Sequence, residues 1–311
     1  MTKVFIDGQE GTTGLQIRDR LVERTDLELL EIDPKERKAE DARRSLIQQA
    51  DILITCLPDD AARASVGMIK GDRTRVIDPS TAHRTLPGWT YGLPELHKGQ
   101  RTEVQNSQRV AVPGCHATGF VLACYPLIQA RLLPTDYPLV VHSLTGYSGA
   151  GRKGIELYQS PTEGMAARPY ALELSHKHLP EMQVICGLTR PPIFEPVIVN
   201  LYKGMLVSVP LYRHMLAPGA TLESVHKTLS EHYAGECFVR VMPLGYAPEG
   251  GALDPTGCND TNRLDLFVFG NAERILLVAR LDNLGKGASG AAVQCLNLML
   301  GVDERTGLRV D

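Results

Sequence analysis

No apolar run in the chain approaches the ~18 residues that cross a bilayer, and its N-terminus lacks the apolar region of a secretory signal. These absences exclude a membrane span and lead us to expect a cytoplasmic protein. There is no basic excess either: 33 Lys and Arg against 36 Asp and Glu give a net charge of −3, with no basic stripe. Nucleic acid is therefore not an expected partner. The seven cysteines are odd in number and scattered without close pairs, which leaves neither a disulfide framework nor a zinc-ligand pattern. Internal repeats and low-complexity tracts are missing too. What is present is 311 residues, 43% of them hydrophobic, enough for one large core or, better matched to usual domain sizes, two smaller ones.

The first third alternates strand and helix signals. Strands are expected at Lys3 to Asp7, Leu27 to Ile32, Ile52 to Cys56 and Arg75 to Ile77. Helical patterns lie between them, from the glycine-rich loop to about Glu23, at Lys38 to Gln49 and at Ala61 to Met68. This rhythm predicts a Rossmann-like, doubly wound parallel sheet. Beyond residue 115 strands crowd together: Pro138 to Leu144, Pro196 to Tyr202, Met205 to Tyr212, Cys237 to Met242, Leu264 to Phe269 and Ile275 to Leu281. The second and third of these read as a hairpin across Lys203-Gly204. A mainly antiparallel sheet backed by helices such as Leu222 to His232 is expected, hence an α+β second domain. A final helix, Ala288 to Leu300, is expected to return to the first domain. The division is therefore 1–114 with 285–311 for dinucleotide binding, and 115–284 for catalysis and oligomerisation.

The sharpest chemical signal is Val112-Pro113-Gly114-Cys115-His116-Ala117-Thr118-Gly119. Val110 to Val112 reads as a short buried strand and Phe120 to Arg131 as a helix, so Pro113-Gly114 turns the chain and Cys115 falls at the first helical turn. Backbone N–H groups and the positive dipole end favour a thiolate there, lowering the usual thiol pKa of about 8.5 toward neutrality.

Gly8, Gly11 and Gly14 follow the first strand and open the first helix, where glycines let a pyrophosphate approach the backbone and Thr12 and Thr13 offer hydroxyls. After the second strand, Asp33 is placed for a ribose 2′-hydroxyl, whereas Lys35, Arg37 and Lys38 suit a 2′-phosphate; the choice leans to NADP. His176 and His178, with Glu181, supply imidazoles near neutral pKa for proton transfer. Two apart, they cannot face one way on a helix, so one reaches the cysteine and the other binds substrate or supports the fold. Zinc is disfavoured, because i, i+2 is not a helical ligand pair and no cysteine stands nearby in sequence. No metal is expected. Thr145 to Arg152 is a second glycine-rich loop whose backbone N–H groups suit phosphate oxygens. Arg84, after Asp78-Pro79-Ser80, offers a fork for a carboxylate or phosphate.

Taken together, these motifs resemble the N-acetyl-γ-glutamyl-phosphate reductases, in their shorter subtype, of the semialdehyde dehydrogenase superfamily. The resemblance runs nearly end to end. It rests on Pro113-Gly114-Cys115 with Ala117-Thr118-Gly119, on His176-Lys177-His178-Leu179-Pro180-Glu181, on Asp78-x-Ser80 with Arg84, and on Leu281 to Gly290. It implies that Cys115 is the nucleophile and His176 the general acid/base. Ser148, Gly149, Tyr170, His178 and Glu181 would line the substrate pocket, to which the fork of Arg84 is also assigned by its chemistry. Cys56-Leu57-Pro58 and Asn283 would join the glycine loop, Lys35 and Arg37 around NADP(H). Two positions depart from the family pattern: Val112 where asparagine is common, and His116 where an aromatic is common.

The implied reaction, in arginine biosynthesis, is reductive dephosphorylation of N-acetyl-γ-glutamyl phosphate through a cysteine thioester, releasing phosphate and the semialdehyde. A homodimer or homotetramer is expected. Aspartate-semialdehyde dehydrogenase, acting on a shorter, unacetylated acyl phosphate, is the nearest rival. A cysteine hydrolase or acyltransferase would use Cys115 and His176 without a dinucleotide, and a non-enzymatic cofactor sensor would need no reactive thiol.

Overall fold

The computed structural model describes residues 1–160 and 166–311 and divides them into two compact units. The first comprises 1–94, 99–114 and 288–308. It runs β1 (Thr2–Asp7), α1 (Thr12–Leu21), β2 (Leu27–Leu30), α2 (Glu40–Gln49), β3 (Ile52–Thr55), α3 (Asp59–Gly67), β4 (Arg75–Asp78), β5 (Thr90–Tyr91), α4 (Gln100–Asn106) and β6 (Arg109–Ala111). The sheet order is β2-β1-β3-β4-β6-β5, with every ladder parallel. β3 (Ile-Leu-Ile-Thr) is buried at all four positions, as a strand covered on both faces must be. The two-residue edge strand β5 is too short to leave a periodic trace in sequence.

Carboxylates at two strand ends have their hydrogen-bond partners close at hand. Asp7 accepts from Arg43 Nη2 at 2.7 Å and Ser65 Oγ at 2.6 Å. Asp78 accepts from Thr55 Oγ1 at 2.6 Å and Ser80 Oγ at 2.7 Å, and pairs with His83.

The second unit comprises 95–98, 115–287 and 309–311. It contains α5 (Cys115–Gln129), β7 (Val140–Gly146), α6 (Gly151–Tyr158), β8 (Arg168–Pro169), α7 (Leu179–Cys186), β9 (Ile193–Val199), β10 (Met205–Tyr212), α8 (Leu222–His232), β11 (Val239–Val241), β12 (Leu264–Gly270) and β13 (Arg274–Leu281). A π-helical turn over Gly285–Ser289 then leads to α9 (Gly290–Leu300), which belongs with the first unit. Residues 95–98 fall in the second unit, where Lys286 Nζ holds both Glu95 carboxylate oxygens at 2.8 Å, with both side chains fully buried. The chain passes from the second unit back to the first at 287–288, three residues beyond the expected 284–285.

Its sheet has the order β11-β12-β13-β10-β7-β9-β8. Four of the six ladders are antiparallel, and β11–β12 and β7–β9 are parallel. The hairpin expected across Lys203-Gly204 is not formed. β7 lies between β9 and β10, in parallel register with β9 from Val140 opposite Ile193 and antiparallel to β10 from Thr145 opposite Met205. Gly204, at φ +119°, instead folds back so that its carbonyl accepts Gly146 N–H at 2.9 Å. β9 consequently starts at Ile193 and ends before the turn. The tight hairpin of this sheet joins β12 to β13 around Gly270, at φ +139°.

α5 carries the cysteine and packs on this sheet. Twelve of its 15 residues are buried, so it has little amphipathic contrast, and its first turn escapes a reading based on periodicity. A Cβ on Gly119 would stand 2.7 Å from Val207 Cγ2, so glycine allows the helix to approach β10 closely. Pro126 lies inside the helix and cannot donate to the Leu122 carbonyl four residues back. The Tyr233 hydroxyl donates to that carbonyl instead, at 2.6 Å, from the end of α8.

Candidate active site

In the first unit the loop between β1 and α1 has the features of a phosphate cradle. Gly8 adopts φ +92°, and a Cβ there would run into the Cys56 carbonyl; one on Gly14 would strike the Gly8 carbonyl. Gly11 is the N-cap of α1, no side chain caps the helix, and its first turn has no acidic residue. The first N–H groups of a helix have no intrahelical partner, so Thr12, Thr13 and Gly14 present donors and a positive dipole end. Arg37 reaches this loop, its Nη1 3.6 Å from Glu10 Oε2. Lys35 is exposed, and its backbone N–H is held by Asp33 Oδ1 at 2.8 Å. These residues fit a dinucleotide diphosphate with cations close by. Pro58 is the N-cap of α3. Burial first, then the Asp78 and Asp7 carboxylates, hold the Cys56 thiol well above its usual range, which keeps it from acting as a second nucleophile.

Arg84 is buried, and its Nε and Nη2 donate to the Val112 and Pro79 carbonyls at 2.9 and 2.8 Å. That geometry makes Arg84 a brace for the turn leading to Cys115. The fork expected to hold a carboxylate has two of its donors on the main chain.

In the second unit Cys115 is the first residue of α5 and half-buried. A Cβ on Gly287 would stand 2.7 Å from Cys115 Cβ, so the π-helical turn lies directly against the cysteine. Sulfur and nitrogen atoms of Cys115, His116 and His178 all lie within 4.8 Å of one another. Distance along the chain therefore misleads about cysteine near the histidines, since folding brings one there. His176 is not in that trio. His176 and His178 precede α7 in a turn, with His178 as N-cap, so the helical-face argument against their convergence does not apply. Their rings meet edge to face at 4.7 Å, and both lie within 5.6 Å of the His116 ring. Phe194 closes the cluster, 5.0 Å from His116 and from His176.

The hydrogen-bond directions can be assigned. Ser143 Oγ donates to the Leu206 carbonyl at 3.2 Å, so it accepts from His116 Nδ1–H at 2.8 Å. His116 Nε2 is then the acceptor, receiving the Tyr170 hydroxyl at 2.9 Å. Burial, with help from nearby His176 and Lys177, pushes the His116 imidazole down to about 3, so the ring is neutral. Burial, then the Cys115 sulfur, hold the Tyr170 phenol above its usual range. His176 Nδ1 accepts the His178 backbone N–H at 3.1 Å, which leaves the His176 proton on Nε2. The loop between Tyr170 and His178 places Ala171 and Leu174 at φ +51° and +58°. Non-glycine residues held there signal a conformation imposed by surroundings. Glu181 is buried in the first turn of α7.

The glycine-rich loop after β7 does not offer its first amides to a ligand. Gly146, Tyr147 and Ser148 N–H groups bond to the carbonyls of Gly204, Leu201 and Tyr202 at 2.9, 2.8 and 3.0 Å. Asn283 ties the same region together: its Oδ1 accepts Gly204 N–H at 3.0 Å and its Nδ2 donates to Ser148 Oγ at 2.9 Å. Ser148 is buried, and Gly149 has room for a Cβ 3.5 Å from Asn283 Nδ2. Arg152 is exposed and paired with Glu156. Gly287 and Phe194 were missed as site residues in the sequence, because neither closeness to a backbone nor a ring at a strand's second position has a local signature.

Comparison with known proteins gives concordant matches. Residues 115–283 match the family described as semialdehyde dehydrogenase, dimerisation domain, and residues 23–104 match semialdehyde dehydrogenase, NAD binding domain. The chain is 45% identical to an N-acetyl-γ-glutamyl-phosphate reductase 2 of Nostoc sp., over 98% of this chain and 99% of that protein. It is 47% identical to the protein of that name from Pseudomonas putida, over 98% of each. It is 48% identical to an N-acetyl-γ-glutamyl-phosphate reductase of Rhizobium meliloti, over 96% of this chain and 98% of that one. Among solved structures, aspartate semialdehyde dehydrogenase II of Vibrio cholerae superposes with a TM-score of 0.72 at 17% identity, covering 97% and 98% of the two chains. An aspartate semialdehyde dehydrogenase of Candida albicans with NADP gives 0.67 at 15%, covering 97% and 99%. At such identities the likeness is one of fold.

Proposed function

Since the chain belongs to the N-acetyl-γ-glutamyl-phosphate reductase family, we propose that it reduces N-acetyl-γ-glutamyl phosphate to the semialdehyde, with Cys115 as nucleophile and His178 as proton carrier. The observation that supports this reading is the sulfur at the start of α5 within 4.8 Å of an imidazole nitrogen of His178. The helix dipole and first-turn N–H groups favour the thiolate, which attacks the acyl carbon. The carbon–sulfur bond forms, the carbon–oxygen bond to phosphate breaks, and phosphate leaves with the electron pair. N–H groups near Cys115 stabilise the oxyanion of the tetrahedral intermediate. The Gly8–Gly14 loop, with Lys35 and Arg37, would hold NADPH, which would supply the hydride that takes the thioester to a thiohemiacetal. His178 donates a proton to the developing alkoxide and takes it back as the carbon–sulfur bond breaks and aldehyde leaves.

His176 was the acid/base implied by family resemblance. Its Nδ1 is held by a backbone N–H, which suits it better to orienting the turn and to donating from Nε2. Tyr170, Ser148, Gly149 and Glu181 line the substrate side, with Asn283 holding the Ser148 loop. Cys56 and Pro58 line the cofactor side. All seven cysteines are free, in keeping with a reducing, cytoplasmic setting, and the dimerisation-domain match favours a homodimer or homotetramer.

The test follows NADPH formation from N-acetylglutamate semialdehyde in the presence of phosphate. Cys115→Ser should abolish turnover while cofactor still binds by fluorescence titration; unchanged turnover sinks the assignment. Aspartate semialdehyde assayed in parallel should be the poorer substrate, and the reverse preference transfers the chain to the shorter acyl phosphate.

A further inference from the structure

The trio of Cys115, His116 and His178 offers more than proton transfer. We infer that these three side chains form a site for a soft divalent cation, of which zinc is the type, and that occupancy reversibly blocks the cysteine. Their ligand atoms lie within 4.8 Å of one another, whereas ligands of a tetrahedral zinc stand about 3.3–3.6 Å apart, from Zn–S near 2.3 Å and Zn–N near 2.0–2.1 Å. Contraction by roughly an ångström asks for rotation of the Cys115 and His178 side chains toward His116, whose ring is held by Ser143.

The second observation is the built orientation of His116. A metal-bound histidine characteristically donates its other ring N–H to a fixed acceptor, which sets the tautomer and aims the lone pair. His116 already does this: Nδ1–H is committed to Ser143 Oγ, itself anchored on the Leu206 carbonyl, and Nε2 keeps the lone pair that accepts the Tyr170 hydroxyl. Thiolate sulfur and imidazole nitrogen are both zinc ligands, and a site with three protein ligands leaves a fourth position for water. Hard oxygen-seeking cations such as magnesium find no carboxylate in the set.

Binding balances simply. Coordinate bonds form from Cys115 Sγ, His116 Nε2 and a His178 nitrogen to the cation. A thiol proton, where present, goes to solvent, and Tyr170 gives up its hydrogen bond to His116 Nε2. The sulfur lone pair is then engaged and cannot attack an acyl carbon. This consequence for turnover rests on Cys115 being the nucleophile; the metal site itself does not.

The experiment uses the metal-stripped full chain and cobalt(II) as a spectroscopic stand-in for zinc. One equivalent should produce a thiolate-to-cobalt charge-transfer band with tetrahedral d–d bands, and Cys115→Ser should abolish the charge-transfer band. Zinc affinity, read by competition with a chromophoric chelator, should fall at least about tenfold in His116→Phe and in His178→Asn. His142→Asn, at an exposed histidine paired with Glu195, should leave it unchanged. In the unmodified chain, one equivalent of zinc should protect Cys115 from iodoacetamide, and magnesium should not. That measurement needs no variant to fold. A band that persists without Cys115, wild-type affinity in His116→Phe, or alkylation unaffected by zinc each overturns the site. Loss of turnover in Cys115→Ser, together with no cobalt band in the unmodified chain, would retain the nucleophile and discard the metal.

Discussion

The backbone of Gly287 passes so close to Cys115 that a Cβ built on the glycine stands 2.7 Å from the cysteine Cβ, a separation that real side chains do not tolerate. The π-helical turn over Gly285–Ser289 and the first turn of α5 are thus fitted to each other at the reactive sulfur. Lys286, between Gly285 and Gly287, anchors that turn on Glu95 through a fully buried ion pair.

Gly287→Ala should therefore displace the sulfur without touching the cofactor loop. We expect kcat/KM for the semialdehyde to fall by about 10²-fold, the scale of a one-ångström misplacement of reacting groups. Cofactor affinity, measured by fluorescence titration, should stay at the wild-type value. Wild-type kcat/KM in this variant would show that the contact has slack.

His178→Asn removes the imidazole grouped with the sulfur, and kcat should drop by about 10²-fold or more, the usual weight of a general acid/base. His176→Asn should lose less, because asparagine can still accept the His178 backbone N–H. Steady-state kinetics of both variants against pH decide between them. A larger loss in His176→Asn, with its pH limb flattened, gives the role to His176.

The His116 imidazole makes stability depend on pH. Its folded-state pKa is near 3, against 6.5 for a free imidazole. Between these values the unfolded chain binds a proton that the folded chain refuses. Stability therefore falls as pH drops from about 6.5 toward 3, and His116 adds no pH dependence above that window. His116→Phe should show a shallower loss over this range in urea titrations followed by circular dichroism. Parallel slopes for the two proteins would contradict the burial of an uncharged ring.

Tyr233→Phe leaves the Leu122 carbonyl without the donor that compensates for Pro126. An unsatisfied buried carbonyl costs about 1–3 kcal/mol. Restoring a backbone donor with Pro126→Ala in the same chain should recover part of that loss, although two single changes at unrelated sites would simply add. Denaturant midpoints of the four proteins test the coupling.

The doubly wound first unit was legible from the alternation of Lys3 to Asp7, Ile52 to Cys56 and their intervening helices, because parallel strands and amphipathic helices have distinct periods. Cys115 at a helix start was legible from Pro113-Gly114. The second sheet was harder. Its strands were found nearly where they lie, yet the pairing of β7 between β9 and β10 was invisible, since period-2 patterns fix a strand's faces and not its neighbours. The convergence of His116 and His178 on the sulfur was equally hidden, because those rings come from two elements 62 residues apart in numbering and share no local pattern. The amide pairing that closes the loop at Gly146 to Ser148 depends on carbonyls near residue 202, so glycine content alone misrepresented that loop as open.

The one-way run of donors from Tyr170 through His116 and Ser143 ends on the Leu206 main-chain oxygen, a group with no appetite for a proton at any physiological pH. That route is a cul-de-sac. A proton released at the sulfur is therefore not drained along these bonds, and the wiring behind Cys115 leaves solvent and the other imidazoles as its ways out.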